Sequence, residues 1–333
     1  MKTILRVAAT AVRGLAVVLG VLVVNFFLIR LAPGDPALAL AGDAGAGDGA
    51  YIQHLREQLG LTRPLAEQFA LYLRSLAHVD FGYSYRNQES VLQLVAERLP
   101  ATLLLMVAAF AVSVVIGVSS GAIAAYCEGR GGRLARALAR AIGALAVVTY
   151  ATPLFWFSLV IVIVFSVVLG WLPSFGMESI GAGYTGWRHA LDIGEHLVLP
   201  ATTLGLVYAS VYTQLTRAAM LDVIEREFVR TARAKGASEW RVMIRHVLRN
   251  ALLPVVTLGG VQLGQLAGGA LVTEIVFAWP GIGGLMYDSL VQRDYPVLLG
   301  VPAVVAALVV AFNVLTDVLY GVVDPRLRER EAR

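Results

Sequence analysis

Six long apolar segments constrain this chain more than any other feature of its sequence. A helix that crosses a bilayer needs roughly 20 mostly apolar residues. Each segment is long enough and has no charge near its middle, apart from Asp317 in the last. The segments lie at about 12–31, 100–126, 141–169, 197–216, 252–276 and 297–322. We therefore predict an all-α polytopic membrane protein with six transmembrane helices.

The composition agrees with this fold class. The chain is 58% hydrophobic and 15% charged, whereas soluble domains carry about 25% charged residues. Its first apolar run follows Lys2 and Arg6, as in a signal peptide, but it ends near Arg30 and Pro33 without a small-residue cleavage pattern. We expect this run to be retained as the first span.

The positions of the arginines predict the orientation in the membrane. If the N-terminus is cytoplasmic, four segments face the cytoplasm: 1–13, 127–140, 217–250 and 324–333. They hold 19 of the 27 basic residues but only 8 of the 23 acidic ones. Because cytoplasmic segments are enriched in Lys and Arg, both termini are predicted to be cytoplasmic.

The segment before the second span is the largest region outside the membrane. We expect amphipathic helices at about 51–59 and 64–77. Ser90-x-x-Gln93 is a capping-box pattern that opens a helix into the second span. The region is too small and too interrupted to be a catalytic domain, so a scaffold or docking surface is the favoured interpretation.

Proline and glycine patterns predict how the spans pack. Pro153 is expected to kink the third span, and a structural kink is favoured over a moving hinge. Gly260, Gly264 and Gly268 recur every four residues on one face of the fifth span, where they would let another helix approach closely. Just after that span, the run from Ala278 to Gly284 is interpreted as a tight outer turn.

Polar side chains within the spans have two interpretations that the sequence leaves open. Gln262, Gln265 and Glu274 lie in the fifth span and Asn313 in the sixth. They either form hydrogen bonds between helices or line a path for a solute. Asp317, one turn after Asn313, is either a proton relay or a feature of the helix end.

The sequence lacks the patterns of catalytic and metal sites. It has no GxxxxGK[ST], HExxH or GxSxG pattern, and its five histidines are scattered. The single Cys127 excludes an internal disulfide framework and a multi-cysteine metal site. No catalytic residue, metal site or cofactor is predicted in this chain, and any ATP hydrolysis must occur in other subunits.

A basic segment between the fourth and fifth spans, residues 225–254, predicts two helices joined at a glycine. Glu225 to Lys235 favours the first helix, Gly236 suits the left-handed position that ends it, and Ser238 is a candidate N-cap for the second. The segment could bind lipid headgroups or dock on a cytoplasmic partner. Its small residues around Gly236 favour docking. DNA binding is excluded because both helices are tethered at spans.

This segment carries a resemblance to a known family. From Phe228 to Pro254 it resembles the permease motif of type I ABC importers, in which Glu-Ala-Ala is followed by three residues and then Gly. Arg230-Thr231-Ala232 stand at the triplet and Gly236 at the glycine; Arg230 replaces the acid, and Pro254 comes five residues later than usual. This form is similar to the dipeptide/oligopeptide/nickel permease branch, where TARAKG recurs.

Seven further blocks, in order, resemble the first permease subunit of that branch. They are APGDP (32–36), QLGLTRPLAEQF (58–69), DFGYS (80–84), ERLPATL (97–103), TEIVFAWPGIG (273–283), RDYP (293–296) and DPR (324–326). The resemblance implies the type I ABC importer permease fold. It divides the chain into an N-terminal transmembrane helix (1–31), an extracytoplasmic region (32–97), a permease domain (98–322) and a cytoplasmic tail (323–333).

The resemblance also implies partners and a role. The implied partners are a homologous second permease subunit, two ATPase subunits or one fused ATPase that hold ATP and Mg, and an extracytoplasmic solute-binding protein. The implied location is the cytoplasmic (inner) membrane. The implied ATPase-coupling residues are Arg230, Thr231, Ala232, Arg233, Ala234, Lys235, Gly236 and Ala237. The expected cargo is di- or oligopeptides; nickel, glutathione and haem stay open as alternatives, as does a carrier driven by an ion gradient.

Overall fold

The structure is a computed structural model that describes residues 2–31, 37–38, 49–58, 60–129 and 131–323. Within these ranges it does not describe the side chains of residues 2–12, 55, 58, 260–261, 263, 267, 312–313 and 315–323. Its helices are α1 (Lys2–Leu31), α2 (Gly49–Gln58), α3 (Leu65–Ala77), α4 (Val91–Gly129), α5 (Arg133–Ala151), α6 (Leu154–Ile161), α7 (Trp187–Ile224), α8 (Glu227–Ala234), α9 (Glu239–Arg241), α10 (Arg249–Val276), α11 (Ile282–Gln292) and α12 (Tyr295–Val323). Two π-helical segments follow α6 and α9, at Val162–Val168 and Val242–Leu248.

The helical fold class is confirmed, since the strands in the described ranges are two short segments. Tyr83–Ser84 (β1) pairs with Glu89–Ser90 (β2) in an antiparallel hairpin. Four stretches are long and apolar enough to cross a membrane: Arg13–Leu31, Val91–Gly129, Arg133–Ala151 and Glu239–Gly259. Two shorter apolar stretches are Leu154–Val168 and Tyr295–Ala311. This set is consistent with six spans without fixing the number. The predicted fourth span, 197–216, lies inside α7.

The chain forms two compact units. The N-terminal unit comprises residues 1–100 and 281–314, and the central unit comprises residues 101–280 and 315–333. Each unit has apolar residues of its own at its centre, so each is described separately.

In the N-terminal unit, α1 and α3 are bound to the start of α12. The Asn25 amide donates to the Leu298 carbonyl at 3.0 Å, and the Tyr72 hydroxyl donates to the Leu299 carbonyl at 3.0 Å. Burial raises the pKa of Tyr72 to about 12, against the opposing effect of its hydrogen bond with Asn25. A core of buried apolar side chains lies between α4, α11 and α12: Val91, Leu94, Val95, Ile282, Leu285, Val297 and Val301.

The start of α4 shows half of the predicted capping box. The Ser90 hydroxyl accepts a hydrogen bond from the backbone N–H of Gln93 at 3.3 Å. The Gln93 side chain, however, donates to Glu97 at 3.3 Å, one turn further along the helix. The serine therefore caps the helix, while the glutamine supports its exposed face.

Two of the sequence blocks that carried the resemblance meet in this unit. The Ser84 hydroxyl, from DFGYS, donates a short hydrogen bond to the carboxylate of Asp294, from RDYP. Asp294 is buried, and this burial raises its pKa, while hydrogen bonds from Ser84, the Val297 backbone and Asn87 act in the opposite direction. The pair joins the β-hairpin to the start of α12.

In the central unit, α4 and α7 are in close contact through glycines. A Cβ atom added to Gly117 would lie 2.7 Å from the Ala209 carbonyl, and one added to Gly121 would lie 2.6 Å from the Thr213 carbonyl. From the other helix, a Cβ on Gly205 would lie 2.9 Å from the Ala109 carbonyl. Because these atoms belong to backbone, the helices could not accommodate the side chains without moving apart.

The third apolar segment consists of two helices, because α5 ends at Ala151 and α6 begins at Leu154. Pro153 cannot donate a helical hydrogen bond and disfavours helical backbone at the residue before it. Thr152 is accordingly extended, and both its N–H and its hydroxyl bond to the Val148 carbonyl, at 3.1 and 2.7 Å.

The run after α10 is more than the predicted tight turn. Ala278 adopts a positive φ of 47°, but Trp279 is only 1% exposed and its indole N–H donates to the Ala101 carbonyl at 2.9 Å. Ile282 then starts α11. The tryptophan anchors the end of α10 inside the central unit, which the proline and glycines next to it did not indicate.

Candidate coupling site

The coupling segment, defined here as residues 225–248, contains α8, a glycine turn and α9 with its π-helical extension. The predicted first helix began at Glu225, but α7 runs to Ile224 and α8 begins separately at Glu227. Gly236 has a φ of +78°. Its N–H bonds to the Arg233 carbonyl at 2.9 Å, and the N–H of Ala237 bonds to the Ala232 carbonyl at 3.3 Å. These two bonds form a Schellman motif, which satisfies the last carbonyls of α8 and places glycine at the left-handed position.

The inner face of α8 is buried in an apolar cluster. Val229 is fully buried and Ala232 is 9% exposed. They pack with Val242, Met243 and Val247 of the π-helical segment, and with Met220 and Val223 of α7, Ala125 of α4 and Ala251 of α10. Side chains of three long helices, α4, α7 and α10, therefore share one apolar cluster with α8 and the π-helical segment.

The outer face of α8 is exposed. Phe228, Arg230, Thr231, Ala234 and Lys235 all face solvent. The alternation follows from helical periodicity, since Val229 and Ala232 are three residues apart and share the opposite face. This face, with small and basic residues around Phe228, is left available to a partner.

Ion pairs surround the turn but are exposed. The Arg233 guanidinium donates to both carboxylate oxygens of Glu239, at 2.9 and 3.3 Å, and so connects the two helices across Gly236. Arg230 lies 3.7 Å from Glu227. Exposed pairs of this kind contribute little to stability, typically below about 1 kcal/mol.

The second helix begins at Glu239, as predicted, but without the predicted side-chain cap. Ser238 occupies the N-cap position, but its side chain makes no capping hydrogen bond. Its carbonyl accepts the N–H of Val242 at 2.9 Å. Trp240 is 67% exposed, on the same segment as the exposed residues of α8.

The polar residues predicted to line a path have different surroundings. Gln262 is 2% exposed, whereas Gln265 is exposed and its carbonyl accepts the Tyr208 hydroxyl at 3.0 Å. Glu274 is 1% exposed and accepts a hydrogen bond from Thr102 at 2.7 Å. Gln262 and Glu274 are thus buried inside the central unit, which favours the hydrogen-bonding interpretation for Glu274. The side chains of Asn313 and Asp317 lie outside the described residues.

The predicted glycine contact on α10 differs from the one observed. A Cβ atom added to Gly268 would meet nothing within 4 Å. The adjacent Gly269 makes the close approach, because a Cβ there would lie 3.0 Å from Leu204 and from Tyr208. The side-chain surroundings of Gly260 lie outside the described residues. Gly264 is partly buried.

The glycines of α4 were missed, although their sequence carried the same signal. Gly117 and Gly121 have the four-residue spacing of Gly260 and Gly264. Spacing reveals that a helix has a small-residue face, but not which helix will pack against it. Among the described residues, no group of three or more His, Cys, Asp or Glu side chains could hold a metal ion.

The long apolar helices, joined by one apolar cluster to the short helix α8, are those of a membrane protein. The chain belongs to the family of inner membrane components of binding-protein-dependent transport systems. That family matches residues 117–329, and its N-terminal domain matches residues 1–106. The resemblance found in the sequence blocks is therefore confirmed.

Named relatives cover nearly the whole chain. A putative peptide transport system permease protein of Brucella abortus (strain 2308) is 38% identical over 316 residues, which are 95% of this chain and 96% of the relative. The di/tripeptide transport system permease protein DppB of Pseudomonas aeruginosa (strain UCBPP-PA14) is 38% identical over 325 residues, covering 93% of this chain and 95% of the relative.

A solved structure supports the fold. The chain matches an inward-facing crystal structure of the MetNI methionine ABC transporter with a TM-score of 0.55 and 20% identity, covering 70% of this chain and 97% of that one. The type I ABC importer permease fold predicted from the sequence is confirmed.

Proposed function

We propose that this chain is the membrane-spanning permease subunit of an ATP-driven importer of di- or oligopeptides. The observation that carries the proposal is the end-to-end match with relatives named as peptide permeases, including a di/tripeptide permease 38% identical over 325 residues. The chain forms one half of the translocation pathway in the cytoplasmic membrane, with both termini in the cytoplasm. A homologous second permease subunit forms the other half.

The coupling segment is the site at which ATP hydrolysis acts. The exposed face of α8, with Arg230, Thr231 and Ala234, docks on an ATPase subunit that holds the ATP and Mg, while this chain holds no cofactor. The buried face of α8 shares one apolar cluster with α4, α7 and α10, so movement of the ATPase displaces these helices together. The result is a two-state equilibrium between inward-open and outward-open forms, biased by nucleotide.

The cargo arrives at the opposite face. A solute-binding protein delivers it outside the membrane to the N-terminal unit and to the second permease subunit. The spans contain almost no histidine, which favours peptide over a metal ion such as nickel, because imidazole is a common ligand of transition metals.

Uptake of a labelled dipeptide tests the proposal. Cells with and without the gene are compared, with longer peptides, nickel, glutathione and haem as competitors. We expect uptake to be lost on deletion and to be competed by peptides alone. Competition by nickel or haem instead would contradict the peptide assignment. Uptake in proteoliposomes under an ion gradient, without ATPase subunits, would contradict the ATP-driven mechanism.

A further inference from the structure

The N-terminal unit contains a cavity of about 370 Å³ that has no role in the coupling described above. Its walls come from α1, α3, the loop before and within the β-hairpin, and the start of α12. Aromatic side chains dominate the lining: Phe26, Tyr72, Phe81, Tyr83, Tyr85 and Tyr295. Volume and lining are those of a site for a small organic molecule, with an apolar body and few polar contacts.

Two arginines line the cavity: Arg30, in the last turn of α1, is half-buried, whereas Arg293 is exposed. The guanidinium carbon of Arg30 lies 4.6 Å from the centre of the Phe26 ring, and its Nε donates to Gln68 at 2.8 Å. Gln68 is held in turn, because its amide donates to the carbonyls of Leu61 and Arg63, at 3.3 and 2.8 Å. The guanidinium is thus fixed by contacts that use its flat face and its Nε, and neither contact uses the two terminal nitrogens.

The acidic residues of the lining are engaged elsewhere. Asp294 accepts hydrogen bonds from Ser84 and from Asn87. Asp80 accepts the backbone N–H of Gly82 at 2.9 Å and is exposed. Neither carboxylate pairs with Arg30 among the described contacts. A half-buried guanidinium without a carboxylate partner favours the binding of an anion.

The geometry of a guanidinium selects among anions. Its planar fork matches the two oxygens of a carboxylate, and such bidentate bonds are about twice as strong as neutral ones. The aromatic walls around it suit an apolar side chain attached next to the carboxylate. The C-terminal residue of a peptide has both features within the size of the cavity.

We propose that this cavity binds the C-terminal end of a short peptide, with the carboxylate on Arg30 and the last side chain against the aromatic wall. The inference rests on the proposed function, because it takes the cargo to be peptide. It adds a contact site on the permease itself, in addition to the one expected in the solute-binding protein. This site holds peptide at the permease before translocation.

Calorimetric titration of the assembled transporter tests this site. The complex is titrated without nucleotide and without solute-binding protein, using the dipeptide Ala-Phe, its N-acetyl form and its C-terminal amide. We expect Ala-Phe and N-acetyl-Ala-Phe to bind alike, and the amide to bind at least about tenfold more weakly, because it lacks the charge-assisted pair. Equal affinity of acid and amide would overturn the assignment.

Variants locate the binding in the cavity. Arg30→Gln is expected to weaken the binding of Ala-Phe about tenfold or more and to abolish the preference for the free acid over the amide. Leu71→Trp adds bulk at an exposed lining position and should weaken the binding of all three peptide forms while Arg30 stays intact. Arg63→Gln is the control, because Arg63 is exposed, pairs with Glu67 at 2.8 Å and does not line the cavity.

The outcomes separate this inference from the proposed function. Wild-type affinity in both Arg30→Gln and Leu71→Trp would overturn the cavity as the site, and if Arg30→Gln does not assemble, Leu71→Trp decides. Arg30-dependent binding of the empty solute-binding protein, with no binding of free peptide, would overturn the inference by assigning the carboxylate to that protein. Absent peptide uptake in cells would instead overturn the proposed function.

Discussion

Two regions of the central unit are packed in opposite ways. One is the contact between α4 and α7, and the other is the coupling segment. At Gly117 and Gly121 the helices meet with backbone atoms less than 3 Å from where a side chain would begin. In the coupling segment, small apolar side chains such as Val229 and Ala232 bury one face of α8, while the other face stays exposed. The first contact excludes any added atom, and the second leaves a surface free for a partner.

The difference indicates which parts can adjust. Side chains in an apolar cluster can repack at a modest cost, whereas backbone against backbone cannot. If a partner displaces α8, we therefore expect α4 and α7 to respond as a pair, with their mutual contact unchanged. The following predictions test that distinction, from the largest expected effect to the smallest.

Gly117→Ala should be the most destabilising substitution. Its Cβ would overlap the Tyr212 side chain and lie 2.7 Å from the Ala209 carbonyl, so α4 and α7 must separate. We expect a loss of about 1–3 kcal/mol in the free energy of unfolding, measured by thermal denaturation in detergent. Gly143→Ala is the matched control, since a Cβ there meets nothing within 4 Å and alanine favours helix by about 1 kcal/mol. Equal stability of the two variants would show that the space at Gly117 is not as tightly filled as the structure indicates.

Gly236→Val should uncouple transport with a smaller loss of stability. A branched residue strains the turn at a φ of +78°, by an amount on the order of 1 kcal/mol or more. We expect the stimulation of ATPase activity by loaded solute-binding protein to be lost in the assembled complex. Gly236→Asn is the control, because asparagine tolerates left-handed backbone and should retain stimulation. Wild-type stimulation in Gly236→Val would refute the role of the turn.

Arg233→Ala should have little effect on stability. It removes the two hydrogen bonds to Glu239 across the turn, but the pair is exposed and contributes about 0–1 kcal/mol. Thermal denaturation would measure the change, with Arg226→Ala, which breaks the exposed pair with Asp222, as a reference. A much larger loss for Arg233→Ala would mean that the charge pair, rather than the apolar cluster, holds the two helices together.

Lowering the pH should loosen one end of α7 without affecting the glycine contact. Hydrogen bonds from the hydroxyl and N–H of Ser179 lower the pKa of Asp192 below its ordinary value of 3.8. The carboxylate therefore contributes stability above pH 3.8, and this is lost as the pH falls through the lowered pKa. The protection factor of the Ser179 amide against hydrogen exchange, corrected for the intrinsic rate at each pH, should fall there, and Ser179→Ala should raise the pKa of Asp192. Simultaneous exchange along the middle of α7 would contradict a local change.

The sequence predicted the local features of this protein better than its long-range contacts. Gly236 could be identified from its position after a helical run, because the Schellman turn depends on neighbouring residues alone. The pairing of Ser84 with Asp294 spans 210 residues, and no local pattern indicates it. Trp279 looked like part of a turn because Pro280 and Gly281 follow it, whereas its burial depends on Ala101 of another helix.

In the candidate site, too, local features could be predicted from the sequence and long-range contacts could not. The face of α8 that would dock on a partner followed from helical periodicity, and the family resemblance named its residues. The sequence predicted a close contact at Gly260, Gly264 and Gly268, but a Cβ on Gly268 would meet nothing, and Gly269 makes the approach on α10. Gly117 and Gly121 of α4 make a second, tighter contact that was not predicted. Which glycine of a small-residue face makes the contact depends on the partner helix, and α7 is the partner of both α4 and α10.

The glycine contact also limits how α4 and α7 can slide. The two helices contain 39 and 38 residues, so each is about 58 Å long at 1.5 Å per residue. Tyr212 packs on Gly117, and Thr213 and Thr216 pack on Gly121, about 6 Å further along α4. Any intermediate offset would place bulkier side chains against the backbone of α7. These contacts therefore oppose sliding by less than one turn, as between the teeth of a ratchet, and we expect small movements to be made by the two helices tilting as one piece.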